Sequence, residues 1–287
     1  MNRKKITELD KLFLEIGTYR KSSEFKELFE FVRRFPHIAP YNAMLIHIQK
    51  PGSQYVASAA EWMRIFNRRV KTGARPLVIL RPFGPVAFVF ELGDTEGDEP
   101  FPEDLINPFK VKGEVSDYYV KNLINNMKCE GISYLEADHG TSSAGFIKTC
   151  YEEKATKIIR NKKEILIKVL FEMVVNRNHP KETQFSTILH ELGHAYCGHI
   201  CSADPKLWIE GRFIPKNECE FEAESVCWLI CERMGIKNPS AEYLSGYLNS
   251  NNEIPNISID AVLKATGIIE TLIKENKEPR KDLILNK

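Results

Sequence analysis

The feature that most constrains this chain is His190-Glu191-Leu192-Gly193-His194, set in the apolar run Phe185, Ile188, Leu189, Leu192, Ala195 and Tyr196. Side chains at i and i+4 share one face of an α-helix, so a helix over 185–198 lets both imidazoles grip one Zn²⁺. Glu191 then points toward the metal's open coordination position, the core arrangement of a zinc metallopeptidase.

A catalytic zinc site takes three protein ligands and keeps one position open. Downstream, Glu218 to Ile230 carries Phe221, Val226, Trp228, Leu229 and Ile230 with no Gly or Pro, which predicts a second helix with a carboxylate-rich first turn. Glu220 and Glu224 lie i, i+4 on it. Glu220 is assigned as the third ligand and Glu224 as the group that orients a ligand histidine through its free ring N–H. On spacing alone the reverse assignment stays open, as does a solvated acidic face.

His199 is off the metal-binding face and reads as a histidine at a helix C-terminus, beside Gly198. The pattern H-E-x-x-H-x-x-G-x-x-H is absent, because Cys197 stands where it needs Gly and Ile200 where it needs His. His139 sits in a loop and reads as solvated. The 7 cysteines, without paired C-x-x-C spacing, predict reduced thiols. Cys197 with Cys201 and Cys227 with Cys231 are spaced i, i+4. They read as small buried hydrophobes, a second metal site being the alternative.

Net charge is only +1, yet residues 1–85 hold 16 Lys+Arg against 7 Asp+Glu and the remainder 24 against 32. Such asymmetry fits a nucleic-acid-binding region joined to an acidic catalytic one. No apolar run reaches the roughly 20 residues that cross a bilayer. The start, Met1 to Asp10, has no apolar segment of a signal peptide, so no membrane contact and a cytoplasmic location are expected.

Two amphipathic helices are predicted from about Ile6 to Arg34, divided near Lys21-Ser22-Ser23. A third runs from Tyr41 to Gln49 and a fourth from near Ser58 to about Phe66. The runs Leu77–Leu80 and Val86–Leu92 read as a hairpin. The basic turn Arg68, Arg69, Lys71 precedes it and suits phosphate contact beside an exposed ring such as Tyr41 or Phe83. A solvated turn is the alternative. Beyond an acidic, Pro-rich connector come a helix around Ser116–Met127 and strands at Gly131–Glu136 and Gly145–Thr149 about the turn at 138–143. Leu166–Asn176 is expected to be a sheet edge along which an extended substrate could lie.

The stretch T-I-L-H-E-L-G-H-A-Y at 187–196 with E-F-E-A-E-S-V-C-W-L-I-C at 220–231 resembles the metallopeptidase domain shared by the ImmA/IrrE group and ArdC-type antirestriction proteins. Tyr41-Asn42-Ala43-Met44-Leu45, Trp62, R-R-V-K-T-G-A at 68–74, R-P-L-V-I-L-R-P at 75–82 and F-E-L-G-D-T-E-G at 90–97 resemble the single-stranded-DNA-binding N-terminal domain of ArdC-like proteins. The resemblance implies an α+β chain. A helical and β-hairpin DNA-binding domain would span 1–97, a connector 98–115 and a zincin-like, gluzincin-type peptidase domain 116–287. It implies His190, His194 and Glu220 on zinc, Glu191 as general base, Glu224 behind the ligands, and Tyr41, Asn42, Arg68, Arg69 and Lys71 toward DNA. The implied activity is antirestriction or mobile-element related, with single-stranded DNA and a restriction component as partners. The alternatives are a regulatory protease that cleaves a repressor, and a DNA-binding protein with a non-catalytic zinc site.

Overall fold

The computed structural model describes residues 22–81, 84–102, 105, 113–138, 144–160, 162–236 and 255–285. They form a mixed α+β structure in two compact units, 22–105 and 113–285. The first predicted helix lies outside the described residues. Among those described, no helix is long and apolar enough to cross a membrane.

In the first unit, α1 (Ser22–Arg33) and α2 (Pro40–Gln49) pack together. Leu28, Phe29, Phe31, Val32 and Phe35 from one side and Met44, Leu45 and Ile46 from the other are almost fully buried. Each contributes about 1.5–3 kcal/mol of apolar burial. The short strand β1 (Val56–Ala57) is followed by α3 (Ala59–Phe66), which opens on a capping box: Ser58 Oγ accepts from Glu61 N–H, and Glu61 accepts from Ser58 N–H at 2.9 Å. The expected hairpin is present as β3 (Leu77–Arg81) and β4 (Gly84–Glu91), with β1 on the far side of β4. Before it, β2 (Arg69–Val70) pairs with β5 (Thr95–Glu96).

The outer edge of β3 is covered by side chains of α2. Asn42 Nδ2 donates to Leu80 O (3.0 Å) while its Oδ1 accepts from Leu80 N–H (2.9 Å). Gln49 makes the same pair of bonds with Val78, 2.9 Å each way. Two amides on one helix thus satisfy backbone groups that an edge strand otherwise leaves to water.

The second unit begins with α4 (Asp117–Cys129) and β6 (Ile132–Ala137). Next come β7 (Gly145–Thr149), the hairpin β8 (Ala155–Arg160) and β9 (Lys163–Lys168), and β10 (Phe171–Asn176). Then follow α5 (Lys181–Tyr196), α6 (Lys216–Met234) and α7 (Ile259–Lys274).

The strands expected at 131–136 and 145–149 are present as β6 and β7, with β10 between them, parallel to β6 and antiparallel to β7. One expectation is corrected. Leu166–Asn176 is accordingly not a sheet edge but the end of β9 and the whole of the central strand. Its Phe171, Met173 and Val175 are fully buried, as a strand flanked on both sides requires. Among the described residues β6 and β7 are the two outer strands of this sheet. Cys150 N–H donates to Leu170 O and Asn176 N–H to Ala144 O, so the even-numbered residues face β10. The backbone groups of Gly145, Ile147 and Thr149 face outward.

The helices are tied by polar groups as well as by packing. Asn122 and Asn126 of α4 donate to Ile273 O (2.9 Å) and Leu272 O (2.7 Å), carbonyls that the end of α7 leaves without helical partners. A buried ion pair, Arg233 to Glu270 at 2.6 Å, joins α6 to α7.

Candidate metal centre

The helix α5 begins at Lys181, four residues before the predicted 185, and its apolar face (Phe185, Ile188, Leu189, Leu192) is fully buried. That leaves His190, Glu191 and His194 on the face toward α6 and β7. Gly193 sets how near α6 comes. A Cβ there would stand 2.9 Å from Ala223 Cα and 3.0 Å from Ala223 O, so only glycine admits the second helix at this distance.

The close approach brings three ligand atoms together. His190 Nε2 and His194 Nε2 are 3.2 Å apart, and Glu220 Oε2 lies 3.4 Å from the first and 3.6 Å from the second. One ion can reach all three. Of the two open assignments, Glu220 is therefore the residue in the ligand position. Glu224 is behind, its Oε2 2.9 Å from His190 Nδ1.

The titratable groups of the site shift one another strongly. Burial alone would lower the pKa of His190, but hydrogen bonds to Glu220 and Glu224 outweigh it and hold the imidazole up at about 10. His194 goes the other way, to about 4, through burial and the neighbouring charge of His190. Glu220 is held low by its hydrogen bond to His190. Burial pushes Glu191 up to about 7, against the opposing charge of His190 and a hydrogen bond from Ile147 N–H. That bond, 3.0 Å to Glu191 Oε2, comes from the outward edge of β7 and fixes the carboxylate.

Sequence reasoning missed the groups behind His194. His194 Nδ1 lies 2.9 Å from His199 Nδ1, and His199 Nε2 lies 2.9 Å from Glu222 Oε2. Glu222 is fully buried and is gripped by Arg212 at 2.6 and 2.9 Å, with Ser258 N–H donating to its Oε1 at 2.7 Å. Burial would raise the Glu222 pKa; His199, Arg212 and Ser258 together keep it below the usual carboxylate range. His199 reaches this place because α5 stops at Tyr196 and the chain turns through Gly198 at φ 78°.

Cys197, His199 and Glu222 form a second group whose ligand atoms lie close enough for one metal ion. Both ring nitrogens of His199 and both oxygens of Glu222 are already engaged, the latter by the Arg212 guanidinium. The remaining aromatic donor near the motif, Tyr196, is 8% exposed and packs on Trp208, with its phenol in the field of Glu130 and Arg280. Cys227 and Cys231 are buried thiols, and Cys201 is exposed.

In the first unit, most of the residues expected toward DNA are engaged within the fold. Tyr41 is buried (8% exposed), so its ring offers no face to a base. Both amide atoms of Asn42 are committed to β3. Arg68 donates to Thr95 Oγ1 (2.9 Å), Thr95 O and Glu99 O, and Lys71 Nζ to Gly93 O (2.8 Å); the basic turn is folded onto the acidic segment that follows the hairpin. Arg69 is exposed opposite Glu96. Phe83 and His139 lie outside the described residues. Comparison with models of protein families, with curated proteins and with solved structures found no match for the chain.

Proposed function

We propose that the chain is a zinc-dependent metallopeptidase of the zincin type, with His190, His194 and Glu220 holding the metal and Glu191 as general base. The convergence of Nε2, Nε2 and Oε2 carries this reading. Tetrahedral ligand atoms on bonds of about 2.0–2.1 Å stand about 3.3–3.4 Å apart, and the three separations here are 3.2, 3.4 and 3.6 Å. Two imidazoles and one carboxylate are a donor set suited to zinc.

His190, His194 and Glu220 would hold a zinc ion that would supply polarisation of a scissile carbonyl and a more acidic water. Glu191, whose carboxyl pKa is pushed up by burial, would take the water's proton and pass it to the leaving amine. The Ile147 N–H keeps its carboxylate aimed, and Glu224 does the same for the His190 ring. A purely structural site has no use for Glu191, which weighs against the non-catalytic alternative.

The packing of Tyr41, Asn42 and Arg68 leaves single-stranded-DNA contact resting on Arg69, Lys71 and the basic surplus of residues 1–85. A regulatory protease acting on a repressor asks nothing of those residues, and that context is favoured over the antirestriction one.

Metal content of wild type, Glu191→Gln and Glu220→Ala tests the site. The expected result is about one zinc per chain in the first two and loss in the third. Incubation with a library of proteome-derived peptides is expected to yield cleavages with wild type that Glu191→Gln does not make. Wild type without stoichiometric zinc overturns the proposal. Binding of a labelled single-stranded oligonucleotide at low salt, compared with Arg69→Ala/Lys71→Ala, decides the DNA reading: unchanged affinity removes it.

A further inference from the structure

His190 and His194 are each supported from behind, but not in the same way. His190 meets a carboxylate directly, Glu224 at 2.9 Å. His194 meets a second histidine, and the carboxylate stands one step further back. We infer that His199, Glu222 and Arg212 form a hydrogen-bonded strut that fixes the tautomer and ring orientation of His194 and thereby sets the metal affinity of the site.

The inference rests on the metal reading above, and the polarity of the strut follows from it. With Nε2 of His194 given to a metal, its Nδ1 must carry the proton and donate to His199 Nδ1. His199 then presents an acceptor at Nδ1 and its proton at Nε2, donated to Glu222 Oε2. Both Glu222 oxygens face N–H donors, from His199, Arg212 and Ser258, which leaves no acceptor for a carboxyl proton. The charge of Glu222 is balanced by the two bonds from Arg212, and the Ser258 N–H fills the other oxygen. Each group has one role open to it, so the chain of bonds has a single direction. The side chains of His199 and Glu222 are 2% and 0% exposed, which keeps water from substituting for either. Arg212 is locked in turn: its NH1 donates to Cys197 O (3.0 Å), and its backbone N–H to Gly198 O (2.7 Å). The loop between α5 and α6 is therefore part of what holds His194. His199, Glu222 and Arg212 touch neither metal nor substrate in this scheme; they are positioning residues.

The test measures zinc affinity by competition with a chromophoric chelator, the visible spectrum of the Co²⁺-loaded protein, and the metal-free melting temperature. Full-length wild type, His199→Phe, His199→Gln and Glu222→Gln are compared. Phe keeps the ring volume without an acceptor, and the expected loss of zinc affinity is about 10–100-fold, with an altered Co²⁺ spectrum. In His199→Gln the side-chain oxygen can accept from His194 Nδ1–H, so affinity is expected between wild type and His199→Phe. Glu222→Gln is expected to weaken zinc in the same direction. A lowered metal-free melting temperature with unchanged zinc affinity and Co²⁺ spectrum in His199→Phe overturns the strut, because that is what a merely structural role would produce. Should Glu222→Gln fail to fold, the two His199 variants still decide. Wild type that binds no zinc overturns the metal reading itself, a result distinct from tight binding that ignores His199.

Discussion

Gly193 is the residue on which the two helices of the metal centre depend. Its would-be Cβ meets Ala223 backbone atoms, which cannot rotate away as a side chain would. Gly193→Ala is expected to destabilise the second unit by about 1–3 kcal/mol and to lower zinc occupancy together with it. Urea unfolding and metal analysis of the same sample check this, and an unchanged midpoint would show that α6 has room to move. At this scale the sequence exposes some groups and hides others for a plain reason. His190, Glu191 and His194 are related by one helical turn, and Glu220 with Glu224 by another, so local spacing reveals them. His199, Arg212 and Glu222 meet only because a loop folds back after Gly198. Glu222 in particular sits in an acid-rich run that looks like a solvated face, yet it points the opposite way from Glu220 and Glu224 and is fully buried.

Elements were legible where their signals are local. The helix start near Ser58, the Pro- and Gly-rich break after Leu80 and the apolar face of α5 mark their elements without reference to the rest of the fold. Strand order was not, because β10 enters between β6 and β7 from more than twenty residues downstream of either and leaves no trace in their composition. Asn42 shows the same limit from the other side. Its place beside a resemblance to a DNA-binding segment suggested contact with a ligand, whereas the fold uses it with Gln49 to cover β3. Asn42→Ala/Gln49→Ala removes the four hydrogen bonds to β3, and one within α2, and bares the Val78 and Leu80 backbone. The expected outcome is a loss of about 2–4 kcal/mol in the first unit and concentration-dependent association through the opened edge. Chemical unfolding and light scattering read the two effects separately, and a stable monomer would show that water replaces the amides without penalty.

The molecule divides its tryptophans as it divides its cores: Trp62 lies in the first unit, Trp208 and Trp228 in the second. Among the described residues, the candidate metal group His190, His194 and Glu220 lies in the second unit. Zinc at 100 times its Kd is expected to stabilise that unit by about 2.7 kcal/mol and a chelator to withdraw the gain, with the first unit unmoved. In a Trp62→Phe variant, fluorescence-detected melting reports the second unit alone. A zinc shift missing there, but present in a Trp208→Phe/Trp228→Phe variant that reports Trp62, would place the metal elsewhere.

The hydrogen bond from Ile147 to Glu191 gives this molecule a built-in reporter. Outward amides on a free strand edge ordinarily trade their protons with solvent, but this one is held by the carboxylate that the chemistry needs. The amide resonance of Ile147, and its deuterium uptake, therefore follow the whereabouts of Glu191. Any movement of that carboxylate away from β7 leaves the Ile147 N–H without this acceptor, so its donor becomes open to exchange or to another partner.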